Sequence, residues 1–306
     1  TCSGSTDYLA GMGFSFVSTL DGVGPWPPIQ ESHVEMDGAW ALYEAWVKLQ
    51  IGEIDTAFVY AYSKSSPGDL PIVLTRQLDP YTAGPLWPDS VSIAALQAQA
   101  ALDAGIVTRE AMAEVAARSR RDALANNPHA QLRFDRSAAD VAAEPDHIGV
   151  LRRSDCPPIT DGAAAIVLAA GDRARELSDR PAWIRGIDHR IDPMAIGLRD
   201  LTDVPSARTA AAKAGVADAP VDLWELHAPF THNELLLRRA LGVPDDAVVN
   251  PSGGALSANP MLTAGLLRFG EAAARISSGQ ANRAVAHATQ GPALQQNLVA
   301  VLEGDA

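Results

Sequence analysis

The chain has 306 residues, long enough for one large domain or two fused halves. Hydrophobic residues make up 47% and charged residues 20%, which is typical of a globular protein and unlike a disordered or membrane chain. Its 24 basic residues are outnumbered by 37 acidic ones, for a formal net charge of -13. No basic run offers a stripe for phosphates, so nucleic acid is not expected as a partner.

Cysteine count and hydropathy favour a cytoplasmic location. Cys2 and Cys156 are the only cysteines, too few for a disulfide framework. No stretch reaches the roughly 20 apolar residues that span a bilayer, and no cleavable signal is visible. The first residues, from Thr1, have the pattern of the end of a strand, and we expect a preceding strand and helix to be missing from the sequence.

Apolar periodicity predicts a helix and two strands in the first part of the chain. The buried helix is expected over 39–49, followed by a strand over 56–62 of the kind covered on both faces. Pro-rich turns and helices over 90–104 and 108–126 form an insertion between about residues 65 and 155, interpreted as a lid. Asp161-Gly162 then opens a second buried strand over 163–170.

The remainder of the chain repeats this alternation of strands and helices. Two α/β halves, 1–180 and 181–306, with the insertion in the first half, are the simplest interpretation. The predicted elements are strands over 182–187, 223–226, 283–287 and 297–303 and helices over 207–214, 233–241 and 262–276.

Three polar segments stand at strand ends and helix starts. Signatures of metalloproteases, Walker phosphate loops, nucleophile elbows and paired-cysteine zinc sites are absent, so no metal site is expected. Taken singly, each segment also suits an ordinary loop, helix cap or structural histidine. The segments are 225–234 with His227 and Asn233, 250–260 with Gly253, Gly254 and Asn259, and 286–292 with His287.

Together these segments resemble the second half of thiolases, particularly the sterol carrier thiolase and the lipid-transfer proteins of actinobacteria. The segment from His227 to Phe230, with Asn233-Glu234 after it, matches the family's His-Asp-Cys-Phe and following Asn-Glu in order and spacing. The Gly253-Gly254 loop matches the family loop that ends in Gly-His-Pro and is one residue shorter. Asn259 then stands in the place of the catalytic histidine, and His287 in that of the final cysteine.

The first half carries the same resemblance. Asp161-Gly162 with the following alanines matches the family's Asp-Gly-Ala-Ala strand, and the helix after Gly38 matches the one that begins Cys-x-Ser-Gly. Counting back from Gly38 puts Glu35 in the place of the nucleophilic cysteine. The resemblance implies a thiolase fold, with two similar βαβαβ halves in a layered α-β-α-β-α structure. It places His287, His227, Asn259 and Glu35 as catalytic candidates and Asp37, Gly253, Gly254 and Asn233 at the substrate.

These substitutions argue against ordinary thiolysis. Neither Glu35 nor Asn259 replaces a thiolate acyl carrier, and Cys2 and Cys156 lie on other segments. His227 and Asn259 can donate hydrogen bonds to a developing enolate. We therefore expect a retro-aldol carbon–carbon lyase acting on a β-hydroxyacyl-CoA, such as one carrying a sterol side chain. The general base stays open among His287, Glu35 and tyrosines of the insertion.

The resemblance also implies partners. They are an acyl-CoA substrate, a second copy of the chain in a two-fold homodimer paired near residues 56–62, and a small subunit carrying an OB-fold and a zinc ribbon. No covalently bound cofactor is expected, and coenzyme A enters as part of the substrate.

Two interpretations of the function remain open besides the lyase. The chain is alternatively a non-catalytic acyl-CoA or lipid-binding scaffold, or an acetyl-CoA acyltransferase that receives a cysteine from elsewhere. Glu35 alternatively caps its own helix. For His287, the turn over 289–292 predicts that the imidazole lies at the cleft rather than in the core.

Overall fold

A computed structural model describes residues 1–4, 22–23 and 26–305. Its helices are α1 (Gly38–Gln50), α2 (Leu70–Arg76), α3 (Ser90–Asp103), α4 (Arg109–Asn126), α5 (Ala138–Ala142), α6 (Gly171–Leu177), α7 (Pro205–Ala214), α8 (Thr231–Leu241) and α9 (Ala264–Ser277). Its strands are β1 (Cys2–Ser3), β2 (Ser32–His33), β3 (Thr56–Lys64), β4 (Asp146–Ile148), β5 (Leu151–Arg152), β6 (Asp161–Ala169), β7 (Trp183–Ile191), β8 (Leu223–Leu226), β9 (Val248–Val249), β10 (Arg283–Gln290) and β11 (Gln296–Glu303).

Two mixed sheets organise the described residues. The first, here called the N-sheet, has the order β2-β1-β3-β6, with β1 parallel to both neighbours and β6 antiparallel to β3. The second, the C-sheet, has the order β7-β11-β10-β8-β9. Strand β8 is parallel to both of its neighbours, β9 and β10, whereas β11 is antiparallel to both of its neighbours, β7 and β10. In the C-sheet, α8 connects the parallel strands β8 and β9, and α9 lies between β9 and β10, which explains the alternating sequence pattern there.

Helices α1 and α9 lie between the sheets. Both are rich in alanine and leucine, and their apolar residues join those of β3, β10 and β11 in one buried cluster. Leu266 and Phe269 of α9 are almost fully buried there. Apolar side chains facing both sheets explain why these helices form the middle layer.

The helical insertion packs on the other side of the C-sheet. Alanines of α3 and Met112 of α4 belong to the same buried cluster as residues of α7 and α8. An ion pair between Arg118 on α4 and Glu234 on α8 adds to this contact, with 2.6 Å between guanidinium nitrogen and carboxylate oxygen. The apolar faces of α3 and α4 thus complete the core, and the lid interpretation of the insertion stays a prediction.

The predicted helices and strands are present, and the bounds of the six predicted helices agree within two residues. The strand over 163–170 is not buried as expected. It is the edge strand β6, whose alternate residues face outward, and Val167 is 64% exposed. The strand over 56–62 is also open on one face, since Phe58 is 40% exposed.

Strand β3 is an interior strand, which bears on the expected dimer. It pairs with β6 along its whole length, and Val59 and Tyr60 pair with β1 on the other side. Neighbours within the chain therefore cover one side of β3 fully and the other side at Val59 and Tyr60, and dimer pairing near residues 56–62 stays a prediction. Among the residues of the N-sheet that the structure describes, β2 and β6 form the edges.

Candidate functional site

The candidate site lies where the N-termini of α1 and α9 meet, and one carboxylate joins them. Asp37, the N-cap of α1, accepts hydrogen bonds from the backbone N–H groups of Ala39, Gly265 and Leu266 at 2.8, 2.8 and 3.0 Å. The backbone N–H of Gly38 in turn donates to the Leu262 carbonyl. Two helix N-termini therefore converge here, and their partial positive charges favour an anion at this point.

His227 follows β8 directly and is 7% exposed. Burial lowers the pKa of His227 to about 3, helped by the nearby His287 and Arg268 and opposed by Asn259. The ring is neutral at pH 7. Because the backbone N–H of Thr289 donates to Nδ1 at 3.4 Å, the ring proton is assigned to Nε2. His227 is thereby a neutral hydrogen-bond donor.

Asn259 lies beside His227, on the loop that leads into α9, and is 4% exposed. Its amide nitrogen contacts the sulfur of Met261 at 3.6 Å, and its Oδ1 has no well-aligned hydrogen-bond partner among the described residues. The Asn259 side chain also interacts with the His227 ring, so its buried amide has only weak partners within the protein and retains capacity for a further hydrogen bond. Asn259 can thus offer its amide group to a ligand.

The end of β10 joins these two parts of the site. Its Thr289 binds His227 through the backbone, and the Gln290 side chain accepts the backbone N–H of Asp37 at 2.8 Å. Contacts run from His227 through β10 to the start of α1. The result is a connected set of polar groups that links the starts of α1 and α9 to the ends of β8 and β10.

This architecture matches a known structure across nearly the whole chain. The crystal structure of human mitochondrial 3-ketoacyl-CoA thiolase superposes with a TM-score of 0.76, covering 99% of this chain and 86% of that one at 16% sequence identity. The chain has the thiolase fold.

Sequence comparisons support the thiolase superfamily on shorter segments. The chain is 32% identical to the acetyl-CoA acetyltransferase of Methanothermobacter thermautotrophicus over 169 residues, which is 48% of this chain and 44% of that protein. It is 28% identical to human sterol carrier protein 2 over 211 residues, 56% of this chain and 36% of that protein. The matched segments thus span less than half of either relative. No protein-family model matches the chain.

His287 neighbours His227 but is buried in the C-sheet, and its role as the base stays a prediction. Strand β10 continues to Gln290, so His287 is an interior strand residue with no exposed surface. Its Nε2 bonds the Oδ1 of Asn297 at 2.9 Å, and the amide nitrogen of Asn297 bonds Ser206 of α7. The imidazole therefore faces α7, on the side of the C-sheet away from α9. Burial lowers its pKa to about 4.

Two of the expected substrate-binding groups are committed to structure. The carboxylate of Asp37 caps α1 and also binds α9, so it is not available to a substrate. Burial raises its pKa, opposed by the three N–H donors and Arg268. Asn233 is buried, where its side chain bonds Gln97 and accepts the backbone N–H of Phe230.

The Gly253-Gly254 loop packs against the insertion rather than opening toward the cleft. A Cβ on Gly253, whose φ is +89°, would lie 2.5 Å from the Cβ of Ala123 on α4, and Ser119 binds the Gly253 carbonyl. A Cβ on Gly254 would lie 3.1 Å from the side chain of Asn250. The glycines are required for close packing, and binding of substrate by this loop stays a prediction.

Glu35 lies two residues before Asp37, and 62% of its side chain is exposed. Its carboxylate bonds His33 at 2.9 Å. Asp37 caps α1 in its place. The sequence reasoning missed His33, Thr289 and Gln290, because only tertiary pairing brings them to the site.

Both cysteines are free and buried. Burial raises the pKa of the Cys156 thiol to about 11, and it also raises the pKa of Cys2. Neither is a thiolate at neutral pH, which a nucleophilic cysteine requires. Among the described residues, no group of three or more His, Cys, Asp or Glu is placed to hold a metal ion, and no helix has the length and apolarity to cross a membrane.

Proposed function

We propose that this protein is a carbon–carbon lyase that cleaves a β-hydroxyacyl-CoA by a retro-aldol reaction. The observation that carries the proposal is the pair of neighbouring donors, His227 with its neutral Nε2–H and Asn259 with its amide. Such a pair suits the oxygen of a thioester as it becomes an enolate. The relatedness to acetyl-CoA acetyltransferase and sterol carrier protein 2 supports an acyl-CoA substrate from lipid metabolism, such as a sterol side chain.

In the proposed reaction a base removes the proton of the β-hydroxyl group. The Cα–Cβ bond breaks, and its electron pair passes to the thioester as an enolate while the hydroxyl carbon becomes a carbonyl. His227 and Asn259 stabilise the negative charge on the enolate oxygen. Return of the proton to Cα releases a shortened acyl-CoA, so the reaction needs no acyl-enzyme and no thiolate.

Glu35 supports this choice over thiolysis. It occupies the place that the family resemblance gives to the nucleophilic cysteine, and a carboxylate accepts a proton but makes a poor acyl carrier. His287 is turned toward α7 and bonds Asn297, so we take Glu35 rather than His287 as the base in this proposal.

Replacement of His227 tests the donor pair. His227→Phe keeps a flat ring and removes the donor, so turnover of β-hydroxyacyl-CoA should fall about 10²–10³-fold, the usual contribution of one such donor. Product carbonyl and acyl-CoA are quantified by mass spectrometry, and exposed His147→Gln serves as the control with unchanged turnover. Wild-type turnover in His227→Phe would contradict the role.

The second candidate function is acyl transfer, favoured by the match to an acetyl-CoA acetyltransferase. It requires a reactive cysteine, and both cysteines of the chain are buried with raised pKa values. Incubation with β-ketoacyl-CoA and free CoA separates the two functions. Release of acetyl-CoA would favour transfer, whereas a carbonyl product from β-hydroxyacyl-CoA alone favours the lyase.

We also propose that the protein works as a homodimer and with a small OB-fold and zinc-ribbon subunit. Light scattering at micromolar concentration tests the first statement, and a monodisperse monomer would contradict it. Co-expression tests the second, since a true partner subunit should co-purify in a fixed ratio and raise turnover.

A further inference from the structure

Three side chains form a hydrogen-bonded line at the edge of the N-sheet. Ser3 Oγ lies 2.8 Å from Nδ1 of His33, and Nε2 of His33 lies 2.9 Å from Oε1 of Glu35. Ser3 is 2% exposed, 14% of the His33 side chain is exposed, and 62% of that of Glu35 is exposed. The line thus runs from a buried anchor to an outward-facing carboxylate.

The donor and acceptor in each of these two hydrogen bonds are assigned from the chemistry of Ser3, His33 and Glu35. An ionised carboxylate only accepts hydrogen bonds, so the Nε2 of His33 carries the proton that Glu35 binds. In the neutral ring Nδ1 then accepts, and the hydroxyl of Ser3 donates to it. Each ring nitrogen of His33 therefore has a partner, which fixes both the tautomer and the orientation of the ring.

Backbone pairing holds this line together beside the start of α1. Ser3 pairs with His33 across β1 and β2, and the next residue, Gly4, lies under the start of α1. A Cβ on Gly4 would stand 2.7 Å from the Cα of Gly38, so only glycine permits this approach. Glu35 is fixed between His33 and the Asp37 cap, which itself binds the end of β10.

We propose that His33 is a positioning residue that holds Glu35 as the proton acceptor of the lyase reaction, with Ser3 as its anchor. The inference rests on the proposed function. In the reaction the Glu35 carboxylate takes the proton of the substrate β-hydroxyl and becomes neutral, and it gives that proton back as the enolate is protonated at Cα. His33 keeps its own proton throughout and fixes the carboxylate for both transfers.

Four variants test the assignment in the full chain. Glu35→Gln should lower kcat by about 10²–10⁴-fold, the contribution of a general base. His33→Phe should lower kcat by roughly 10–100-fold with KM changed less than about twofold, the range seen when a group that orients a reactive ligand is lost. His33→Gln has a donor and an acceptor at similar positions and should recover most of that loss. Glu31→Gln, an exposed carboxylate on the same segment, is the matched control.

Different outcomes overturn different statements. Equal losses in His33→Gln and His33→Phe, a rise in KM without a fall in kcat, or full activity of Glu35→Gln would each overturn the positioning role while leaving the lyase reaction standing. A wild-type protein that cleaves no β-hydroxyacyl-CoA would overturn the lyase function and this role with it. If His33→Phe fails to fold, Ser3→Ala removes a single hydroxyl group and should still lower kcat several-fold, and unchanged kcat in that variant contradicts the anchor.

Discussion

Removal of the Asp37 carboxylate should destabilise the protein more than the loss of an ordinary helix cap. Asp37→Ala leaves three buried N–H donors without their acceptor, one on α1 and two on α9. Each unsatisfied buried donor costs about 1–3 kcal/mol, and water entering the small gap recovers part of that. We expect a loss of about 3–5 kcal/mol in the free energy of unfolding. Asp37→Asn keeps one oxygen acceptor and should lose about 1–2 kcal/mol.

Asp89 provides the matched control, because its carboxylate caps α3 alone. It accepts the backbone N–H groups of Val91 and Ser92 and the Ser92 hydroxyl, and all three donors lie on α3. Asp89→Ala should therefore cost about 1 kcal/mol, the usual value for an N-cap. Urea unfolding followed by circular dichroism at pH 7 gives both values. If the two alanine variants agree within about 1 kcal/mol, the contacts of Asp37 across the two helices do not stabilise the fold.

Three further predictions concern pH, packing and thiol reactivity. Burial lowers the pKa of His227 to about 3 and of His287 to about 4, so both stay neutral while the unfolded chain takes up protons below about pH 6.5. The free energy of unfolding should therefore fall by about 2 kcal/mol for each of these two histidines between pH 7 and pH 5. Urea unfolding of His287→Gln at the two pH values should show a fall that is about 2 kcal/mol smaller than in the wild type. In Gly253→Ala the added Cβ would contact the side chain and backbone of α4, so the variant should lose about 2–4 kcal/mol of stability. In the control Gly52→Ala the Cβ meets open space, and the loss should be about 1 kcal/mol. Similar thermal midpoints of the two variants would contradict this. The Cys156 thiol, with its pKa raised to about 11, should resist a disulfide reagent until the protein unfolds, and rapid labelling of the native protein would refute its burial.

Periodicity predicted the elements because most of them bury one face or both. Helices α1 and α9 are rich in Ala and Leu because both sheets cover them, and this pattern is visible in the sequence. The edge character of β6 was not predictable in this way, since Ala-rich strands look buried whether or not a neighbour covers them. Which strand lies at an edge depends on pairing between distant segments.

The site was predicted in part, and His287 explains why. His227 and Asn259 were placed from their positions at a strand end and a helix entry, and they do lie together. For His287 the strand end was placed three residues too early. Side chains alternate along a strand, and the pairing of β10 with β11 through Gln290 turns His287 toward α7. Thr289 and Gln290 look like turn residues, so the sequence gives no sign of this continuation.

The packing of α3 and α4 against α8 has a consequence for synthesis. These helices leave the ribosome well before their partner does, because α8 ends more than a hundred positions after α4. At ordinary translation speeds, about 5–20 residues per second, their alanine-rich apolar faces wait on the order of ten seconds for a covering surface. During that interval the nascent chain exposes the apolar faces of α3 and α4. We therefore expect the protein to need holding chaperones, and to need them more when translation between α4 and α8 is slower.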